Sequence, residues 1–246
     1  MKIKLTHPLI SCICITANRP QLLLRSVICF DAQDYPNKEL VISYPEEDAV
    51  TKNIVREIIK LSGLNILLVE RNQTTPLGVA QHEAIVKCNG EYICIWDDDD
   101  WYHYRRIKFQ YNSLKVNGKY YEASILNRLM IYDTTKETAY ISAFNKWNST
   151  LLCKKSIILQ YSYEEHQFIQ DKEIIESLES RKLLLQLTNS QYLYLFIYHG
   201  DNRLNYSSLL NMVSESTTLD EESLEWIKSI VATNIQLINS SNDTQE

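Results

Sequence analysis

Four consecutive aspartates follow a short apolar run, and this junction constrains the chain more than any other feature of the sequence. The apolar run, residues 92–96, has the length and composition of a buried strand, and residues 97–100 are all aspartate. Two like charges about 4 Å apart repel by roughly 1 kcal/mol even in bulk water, so adjacent carboxylates at a strand end require a nearby cation. Oxygen ligands suit Mg²⁺ or Mn²⁺, ions that commonly accompany phosphate-bearing substrates. The cluster therefore predicts a divalent metal site with a nucleotide ligand, and a solvated acidic turn is the alternative.

Strand and helix patterns alternate up to this junction. Gly63 is suited to end one predicted helix, and Thr75 followed by Pro76 predicts the N-cap and first residue of the next. The alternation is typical of βαβ units, so we expect an α/β fold, a three-layer sandwich with a mostly parallel central sheet. The predicted strands are residues 9–16, 39–43, 64–69 and 92–96.

Polar loops follow each of these strands. In a parallel sheet, ligands lie beyond the carboxyl ends of the strands, so we expect the four loops to converge on one crevice. The sequence contains neither the glycine-rich dinucleotide fingerprint nor a phosphate-binding P-loop, so neither motif explains the crevice. The loops are residues 16–19, 46–48, 72–75 and 97–100.

Beyond residue 100 the alternation is weaker. A capping-box pattern, Thr218 with Glu221 three residues later, predicts the start of a C-terminal helix at about residues 219–238. We divide the chain into a domain at 1–205, with halves at 1–115 and 116–205, and a helical appendage at 206–246. Other predicted helices are residues 104–116 and 169–178, and other predicted strands are residues 123–132, 139–144, 149–153, 183–187 and 192–198.

The composition of the chain limits which partners it can bind and indicates its cellular compartment. The net charge is −6 and the pI about 5.5, so no basic field favours nucleic acid as a partner. The six cysteines lie in apolar stretches without metal-site spacing, which is typical of reduced core thiols in a cytoplasmic protein. No stretch reaches the roughly 18 apolar residues that a membrane span needs. We expect a cytoplasmic protein without a transmembrane segment, and peripheral contact with the inner face of the membrane stays open.

The chain resembles the family 2 glycosyltransferases, which have the GT-A fold, a Rossmann-like α/β sandwich. The resemblance covers roughly residues 1–115, and the later half matches more loosely. The segments that carry it are TANRP at 16–20, KELVIS at 38–43, the loop with Asn72, GVAQHEAIVKC at 78–88, GEYICIWDDDDWY at 90–102, QDKEIIESL at 170–178 and YHGDN at 198–202.

The resemblance implies an inverting, metal-dependent transfer of a sugar from a nucleotide-sugar, with UDP as the expected nucleotide and Mn²⁺ or Mg²⁺ as the cofactor. The acceptor would be a saccharide or a lipid-linked saccharide, in glycan or surface-polysaccharide assembly. The half at 1–115 would bind the nucleotide-sugar donor and the half at 116–205 the acceptor. By the same resemblance, Asp97 touches the donor ribose or the metal, Asp98 takes the variable position of the motif, and Asp99 is the direct metal ligand.

Other donor contacts are implied in the same way. Thr16, Asn18 and Arg19 line the nucleoside pocket, and the loop with Asn72 lies beside it. The uracil-reading acid falls in the loop 46–48, where Glu47 is our choice among its three acids. Where family members often have Arg-Asn in the third helix, this chain has Gln81-His82, and Gln81 is expected to face the donor.

Two later residues complete the predicted site. An acceptor hydroxyl must lose its proton while it attacks, so a carboxylate base is required within hydrogen-bond reach. The resemblance implies Asp171 as this base, because Gln170-Asp171 occupies the place of the family's Glu-Asp pair; Glu164 and Glu165 are the next candidates. An ordinary first-turn helix carboxylate is the alternative for Asp171. His199, in a loop with Gly200, could complete the metal shell, or it could be a surface histidine in a turn.

Two rival functions are compatible with the residues. A sugar nucleotidyltransferase would use a similar sheet, but it normally needs a glycine-rich basic loop near the N-terminus, and residues 1–62 contain no glycine. A nucleotide-sugar or glycan-binding module of the same fold that has lost its chemistry is the other rival. For the aromatic residues near the acidic loop, core packing is the expected role, and Trp147 is the best candidate for stacking on a sugar.

Overall fold

The computed structural model of the chain describes residues 7–117, 120–160 and 170–242. Up to the acidic loop it alternates strand and helix as the sequence pattern predicts. The elements of this part are β1 (Ile10–Ile15), α1 (Pro20–Asp31), β2 (Lys38–Pro45), α2 (Ala49–Ser62), β3 (Ile66–Arg71), α3 (Leu77–Lys87) and β4 (Tyr92–Ile95).

The second part of the chain is less regular and contains shorter strands. Two single-turn 3₁₀ helices, Asn148–Thr150 and Gln191–Leu193, interrupt it. Its elements are β5 (Trp101–Tyr102), α4 (Arg106–Asn117), β6 (Ala123–Leu126), β7 (Met130–Asp133), β8 (Thr138–Ile141), β9 (Leu152–Lys154), α5 (Lys155–Ile158), α6 (Gln170–Ser180), β10 (Leu184–Leu187), β11 (Tyr194–Tyr198), α7 (Tyr206–Val213), β12 (Thr217–Thr218) and α8 (Glu221–Asn242).

The central sheet has seven strands in the order β10-β6-β9-β4-β1-β2-β3. The strands β1 to β4 are mutually parallel where they pair, and only β9 runs antiparallel to its neighbours. Because β1 lies between β2 and β4, it is buried on both faces, which explains its almost continuous apolar sequence. The loops after the first four strands therefore emerge at one edge of the sheet.

Helices cover both faces of this sheet, so the predicted three-layer sandwich is confirmed. Side chains of β1 alternate between the layers: Cys12 and Cys14 pack in the cluster that contains the apolar face of α1, and Ile13 packs in the cluster of α3 and α6. Burying an apolar side chain contributes roughly 1.5–3 kcal/mol, so this double-sided packing holds the strand that delivers the first polar loop.

A second sheet, which the sequence analysis did not predict, has five strands in the order β12-β8-β7-β11-β5. Its outer face is covered by α8, whose Ile227 and Val231 are buried with Leu195 and Ile197 of β11. The prediction of one strand at 123–132 is wrong, because β6 ends at Leu126 and the chain then turns into β7 of the other sheet.

Two predicted helix starts are also wrong. Thr75 does not cap α3, because its backbone amide donates to Asn72 in the preceding turn and the helix begins at Leu77 after Pro76. Thr218 does not cap α8, because it pairs with Tyr140 in the second sheet; Asp220 instead accepts a hydrogen bond from the Ser223 amide. Helix α7 was not predicted.

The prediction that Gly63 ends the second helix is confirmed: it takes a left-handed conformation, with φ of 65°, as the C-cap of α2. All six cysteines are buried free thiols, as the sequence pattern indicates. Among the described residues, no helix combines the length and the apolar character that a bilayer crossing demands.

Candidate functional site

A cavity of about 360 Å³ opens at the carboxyl edge of the central sheet. It lies where the loops after β1 and β4 and the end of β3 meet residues from the second part of the chain, including the loop after β11. The lining includes the residues Thr16, Arg19, Arg71, Gln81, Asp97, Asp98, Asp99, Trp147, Tyr194 and Arg203. The expected crevice beyond the strand ends is therefore present, with both acidic and basic side chains in its lining.

The loop after β1 is bonded to the acidic loop. The Thr16 hydroxyl donates to Oδ2 of Asp98 at 2.6 Å, and Nη2 of Arg19 donates to Oδ1 of the same carboxylate at 2.6 Å. Nη1 of Arg19 also donates to Oδ2 of Asp99 at 2.9 Å. One guanidinium thus supplies part of the positive charge that the aspartate cluster requires.

Two aspartates of the cluster are held from the second sheet. The Tyr194 hydroxyl contacts Oδ2 of Asp97 at 3.0 Å and makes a short hydrogen bond to Asp100. The backbone amide of Ile197 donates to Oδ1 of Asp100 at 3.0 Å. Because Tyr194 and Ile197 both belong to β11, this strand fixes the shape of the acidic loop.

His199, one residue beyond β11, faces the remaining carboxylate. Its Nε2 lies 3.5 Å from Oδ2 of Asp99, and both side chains are mostly buried. The backbone amide of His199 donates to Oδ1 of Asn202 at 2.7 Å, and Gly200 between them has φ of 93°, which favours glycine. The turn that glycine permits therefore directs the histidine toward Asp99.

The four carboxyl groups differ in the direction of their pKa shifts: three are raised and one is lowered. Burial, followed by the charge of Asp99, raises the pKa of Asp97 to about 7 and that of Asp98 to about 6. The same two causes raise the pKa of Asp100 well above its ordinary value. Burial acts on Asp99 too, but the hydrogen bond with His199 and the nearby guanidinium outweigh it and lower its pKa. Asp99 is therefore the carboxylate of the cluster that is most readily ionised.

Arg71 and Arg203 also line the cavity. Arg71, the last residue of β3, is 8% exposed, and its Nη2 donates to the Thr16 carbonyl at 3.0 Å. Its Nε and Nη1 have no hydrogen-bond partner within the described part of the chain. Burial lowers the pKa of Arg71, and the charge of Arg203 acts in the same direction. Two neighbouring guanidinium groups with unused donors are suited to an anionic or carbonyl-rich ligand.

Arg106 lies beneath the acidic loop and does not line the cavity. It is fully buried among the rings of Trp96, Tyr102 and Tyr194, with its guanidinium carbon 4.7 Å from the Tyr102 centroid. Its Nη2 donates to the carbonyls of Ile95 at 2.9 Å and of residue 149 at 3.1 Å. Arg106 therefore ties the end of β4 to the segment that forms another wall of the cavity.

Several predicted residues lie elsewhere. Glu47 is exposed and outside the cavity lining, whereas its neighbour Asp48 is buried, caps α2 and accepts a bond from the Asn18 backbone amide at 2.6 Å. The side chain of Asn72 accepts bonds from Thr74 within its own turn. Of the donor contacts predicted in these three loops, Thr16 and Arg19 line the cavity, and the others do not.

The structure does not test whether the predicted base, Asp171, reaches the cavity. Asp171 is the second residue of α6, and its side chain lies outside the described part of the structure. Glu164 and Glu165 also lie outside the described residues. Arg71 of β3 and Tyr194 of β11 are cavity residues that the sequence analysis missed.

The donor set is compatible with a hard divalent cation. Among the described residues, no group of three or more His, Cys, Asp or Glu side chains forms a ready metal cage. Mg²⁺ and Mn²⁺ sites of substrate-phosphate enzymes need only one or two protein carboxylates, because phosphate oxygens and water complete the shell. The ionised Asp99, with His199 beside it and Asp97 next to it, meets that requirement.

Comparison with known proteins gives one family match. The model described as glycosyl transferase family 2 matches residues 11–169, which is more than half of the chain and includes the strands that carry the acidic and first polar loops. No curated protein sequence matches the chain significantly.

Solved structures share the architecture at low sequence identity. S. aureus TarS 1-349 in complex with UDP-GlcNAc is similar with a TM-score of 0.62 at 16% identity, over 78% of this chain and 59% of that chain. The mannosyltransferase PcManGT from Pyrobaculum calidifontis, in complex with GDP-Man and Mn²⁺, has a TM-score of 0.62 at 13% identity, over 86% of this chain and 64% of that chain.

A third similar structure is named as a synthase and not as a glycosyltransferase. It is 4-diphosphocytidyl-2C-methyl-D-erythritolsynthase from Anaerococcus prevotii, with a TM-score of 0.51 at 13% identity, over 85% of this chain and 99% of that chain. Likeness at this level shows the fold alone, because one fold can carry several chemistries. The chain spans between 41% and 68% of the length of the TarS structures that it matches.

Proposed function

The chain belongs to glycosyl transferase family 2 and has the GT-A fold, and on that premise we propose that it is an inverting, metal-dependent glycosyltransferase. It moves a sugar from a nucleotide-sugar, with UDP as the nucleotide, to an acceptor hydroxyl. The observation that carries the proposal is one cavity lined both by Asp97, Asp98 and Asp99 and by Arg71 and Arg203. A diphosphate with a bound cation is a ligand whose charges match both sets of side chains.

The divalent cation would be held by Asp99 and His199, with Asp97 next to them. When bound, Mn²⁺ or Mg²⁺ supplies electrostatic stabilisation of the charge that develops on the leaving diphosphate. Arg71 and Arg203 contribute donors, and Arg71 has two of them unused among the described residues. Thr16 and Arg19 hold Asp98, so their role is to shape the acidic side of the donor pocket.

The transfer itself requires a base on the acceptor side. The acceptor oxygen attacks the anomeric carbon, the bond from that carbon to the diphosphate oxygen breaks, and the hydroxyl proton passes to a carboxylate. We assign this proton to Asp171, with Glu164 and Glu165 as the other candidates. Attack from the face opposite the diphosphate inverts the anomeric centre.

The choice of nucleotide rests on the sequence resemblance and on the ligands of similar structures, and the choice of compartment rests on the composition of the chain. One similar structure contains UDP-GlcNAc and another GDP-Man with Mn²⁺, so nucleotide-sugars of both kinds are bound by proteins with this architecture. We retain UDP from the sequence resemblance, a saccharide or lipid-linked saccharide as the acceptor, and a role in glycan assembly. We also retain the cytoplasm, with peripheral contact at the inner membrane face, as the working location, and residues 1–115 and 116–205 as donor and acceptor halves.

A thermal-shift panel of nucleotide-sugars with Mn²⁺ tests the donor assignment. A ligand that binds only the folded state raises the melting temperature by mass action, with about 2.7 kcal/mol gained at a hundredfold excess over Kd. We expect a UDP-sugar to give the largest shift, EDTA to remove it and Asp99→Asn to abolish it. Asp31→Asn, an exposed aspartate at the end of α1, is the matched control and should keep the shift. A larger shift with a GDP- or CMP-sugar would refute the choice of UDP.

A binding module that has lost its chemistry is the second candidate. The observation that favours it is the contact between Arg19 and Asp99, because a guanidinium there already neutralises the carboxylate that a metal needs. Hydrolysis of the donor in the presence and absence of Mn²⁺ separates the two candidates. Metal-stimulated turnover that Asp99→Asn removes supports the enzyme, and donor binding without turnover supports the module.

A further inference from the structure

A second cavity, of about 540 Å³, lies next to the first at the carboxyl edge of the central sheet. It is formed by the turn after β6, the segment before the 3₁₀ helix Asn148–Thr150, the exposed side of α6 and the end of β10. Asn148 lines both cavities. The two therefore meet at Asn148, so a ligand in the second could extend a group into the first.

The polar lining of the second cavity is rich in amides. Asn127, Asn145, Asn148 and Gln186 all line it. Asn127 is only 7% exposed, and its Oδ1 has no hydrogen-bond partner in the portion of the chain that the structure describes. A buried polar atom without a partner costs roughly 1–3 kcal/mol, so a ligand that satisfies it gains affinity. Neutral amides donate and accept, which suits hydroxyl groups.

An aromatic ring stands at the mouth of the same cavity. Phe144 is 66% exposed, although an isolated aromatic side chain of this size is normally buried. The guanidinium carbon of Arg128 lies 3.8 Å from the centroid of the ring, so one face is held by a cation–π contact. A ring that is fixed from one side and largely exposed provides a platform for an apolar ligand face.

The charged groups around the cavity are paired with each other. Lys146 forms a short ion pair with Glu179, and Nζ of Lys172 lies 3.7 Å from Oε1 of Glu176. Gln186 donates to the other oxygen of Glu179 at 3.1 Å. Each lysine of the lining therefore has a nearby carboxylate, and the guanidinium of Arg128, which does not line the cavity, lies against the ring of Phe144. The matched lysines give an anionic ligand little advantage over a neutral one.

We propose that this second cavity binds a neutral saccharide and is the acceptor subsite of the transfer, an inference that rests on the proposed function. Sugar rings combine CH-rich faces, which suit Phe144, with hydroxyl groups, which suit Asn127 and the other amides. The proposal places the terminal sugar of the acceptor at Asn148, the residue that both cavities share. A lipid chain does not fit, because Phe144 and Ile175 are the apolar side chains among the described residues that line the cavity.

Methyl NMR of the isoleucine-labelled full chain tests the proposal with a reporter in each cavity. Ile15 lines the first cavity and Ile175 the second. UDP with Mn²⁺ is the donor-side probe, and lactose, maltose and N,N′-diacetylchitobiose are the neutral saccharide probes, with galacturonate as the anionic comparison. We expect UDP to shift Ile15, and at least one neutral disaccharide to shift Ile175.

Variants identify the residues responsible. Phe144→Ala and Asn127→Ala should each weaken the disaccharide about tenfold, the effect of losing roughly 1.4 kcal/mol. Both should leave the UDP response unchanged. Tyr120→Ala is the matched control, because Tyr120 is a 74% exposed aromatic residue that precedes β6, at the opposite end of the strand from Asn127, and it should change nothing.

The outcomes separate the two proposals. No response of Ile175 to any neutral disaccharide, a response to galacturonate alone, or equal affinity in Phe144→Ala and wild type overturns the saccharide subsite. If Ile175 responds to a disaccharide but Ile15 does not respond to UDP, the donor assignment fails and the acceptor role falls with it. Responses of both reporters, with losses confined to Phe144→Ala and Asn127→Ala, support the subsite.

Discussion

Nη1 of Arg19 lies 2.9 Å from Oδ2 of Asp99, the carboxylate that the proposed metal ion would bind. The other terminal nitrogen of the same guanidinium bonds to Asp98 at 2.6 Å. The acidic loop therefore has an internal cation, and the mutual repulsion of its carboxylates is reduced before any ligand arrives. A metal ion at Asp99 has to compete with Arg19 or rearrange it.

Arg19→Ala should strengthen binding of Mn²⁺ to the nucleotide-free protein. Removal of the guanidinium eliminates the competitor and leaves Asp98 and Asp99 more negative, and we expect about a tenfold lower Kd. Titration calorimetry with MnCl₂ measures this. Arg56→Ala on the exposed side of α2 serves as the control and should leave the Kd unchanged. Weaker Mn²⁺ binding in Arg19→Ala would show that the guanidinium assists the site.

Tyr194→Phe should destabilise the protein by roughly 1–3 kcal/mol, because its hydroxyl contacts both Asp97 and Asp100, and Asp100 would lose a buried partner. Urea denaturation gives the free energy of unfolding. Tyr192→Phe, two residues earlier and 38% exposed, is the matched control and should change that free energy by less than about 0.5 kcal/mol. Equal effects of the two substitutions would contradict the bracing role.

The metal-free protein should lose stability as the pH rises from about 4 to about 7. Burial raises the pKa of Asp97 to about 7 and of Asp98 to about 6, whereas both titrate near about 3.9 in the unfolded chain. In that window the folded state binds more protons than the unfolded state, so the free energy of unfolding falls with increasing pH. The lowered pKa of Asp99 acts in the opposite sense, but only below about pH 4.

Urea denaturation at a series of pH values measures this dependence. Asp97→Asn removes the group with the pKa of about 7 and should flatten the upper part of the curve. Asp31→Asn should retain the wild-type slope. A free energy of unfolding that increases steadily from pH 4 to pH 7 in the metal-free protein would contradict the expected protonation of the loop.

Arg106→Met should destabilise the chain by on the order of 3 kcal/mol, because it leaves the Ile95 carbonyl and Gln110 without a buried donor. It should also weaken UDP binding, since Arg106 holds the cavity wall at residue 149. Denaturation and UDP titration measure the two effects. Arg105→Met, the exposed neighbour, is the control; a stable Arg106→Met with normal UDP affinity would contradict the tie between these walls.

Gly90→Ala should cost more than Gly63→Ala. A Cβ at residue 90 would lie 2.3 Å from Oγ of Ser11 and 2.8 Å from its backbone nitrogen, so the start of β4 would have to move away from β1. At residue 63 a Cβ meets nothing within 4 Å, and the cost is the left-handed conformation alone, about 1 kcal/mol. The free energies of unfolding of the two variants test this expectation. A smaller loss of stability in Gly90→Ala than in Gly63→Ala would be incompatible with the close approach of residue 90 to Ser11.

The central sheet could be predicted from sequence, and the second sheet could not. Buried parallel strands such as β1 and β4 are apolar runs, and amphipathic helices separate them, so the signal is local. In contrast, β5 and β12 have two residues each, too few to show a period. They exist because Tyr102 pairs with Tyr194 and Thr217 with Ile141, contacts between distant parts of the chain.

Some residues of the candidate site could likewise be predicted from the sequence, and others could not. Thr16, Arg19 and the aspartates lie together because parallel strands end at one edge of the sheet. Asn72 and Glu47 lie at that edge too, but Asn72 closes its own turn and Glu47 is exposed. Arg71 could have been found, since a charged residue ends an apolar strand at the same edge. No local pattern marks Tyr194 as a partner of Asp97.

Strand β11 carries the brace at Tyr194, the amide of Ile197 and, one residue past its end, His199. The acidic motif is therefore not a portable linear peptide. Grafting residues 97–100 alone onto another scaffold would transplant four repelling charges without their clamp. A functional transplant would have to bring residues 16–19 and residues 194–199 in the same register, so the smallest transferable unit of this chemistry consists of three segments.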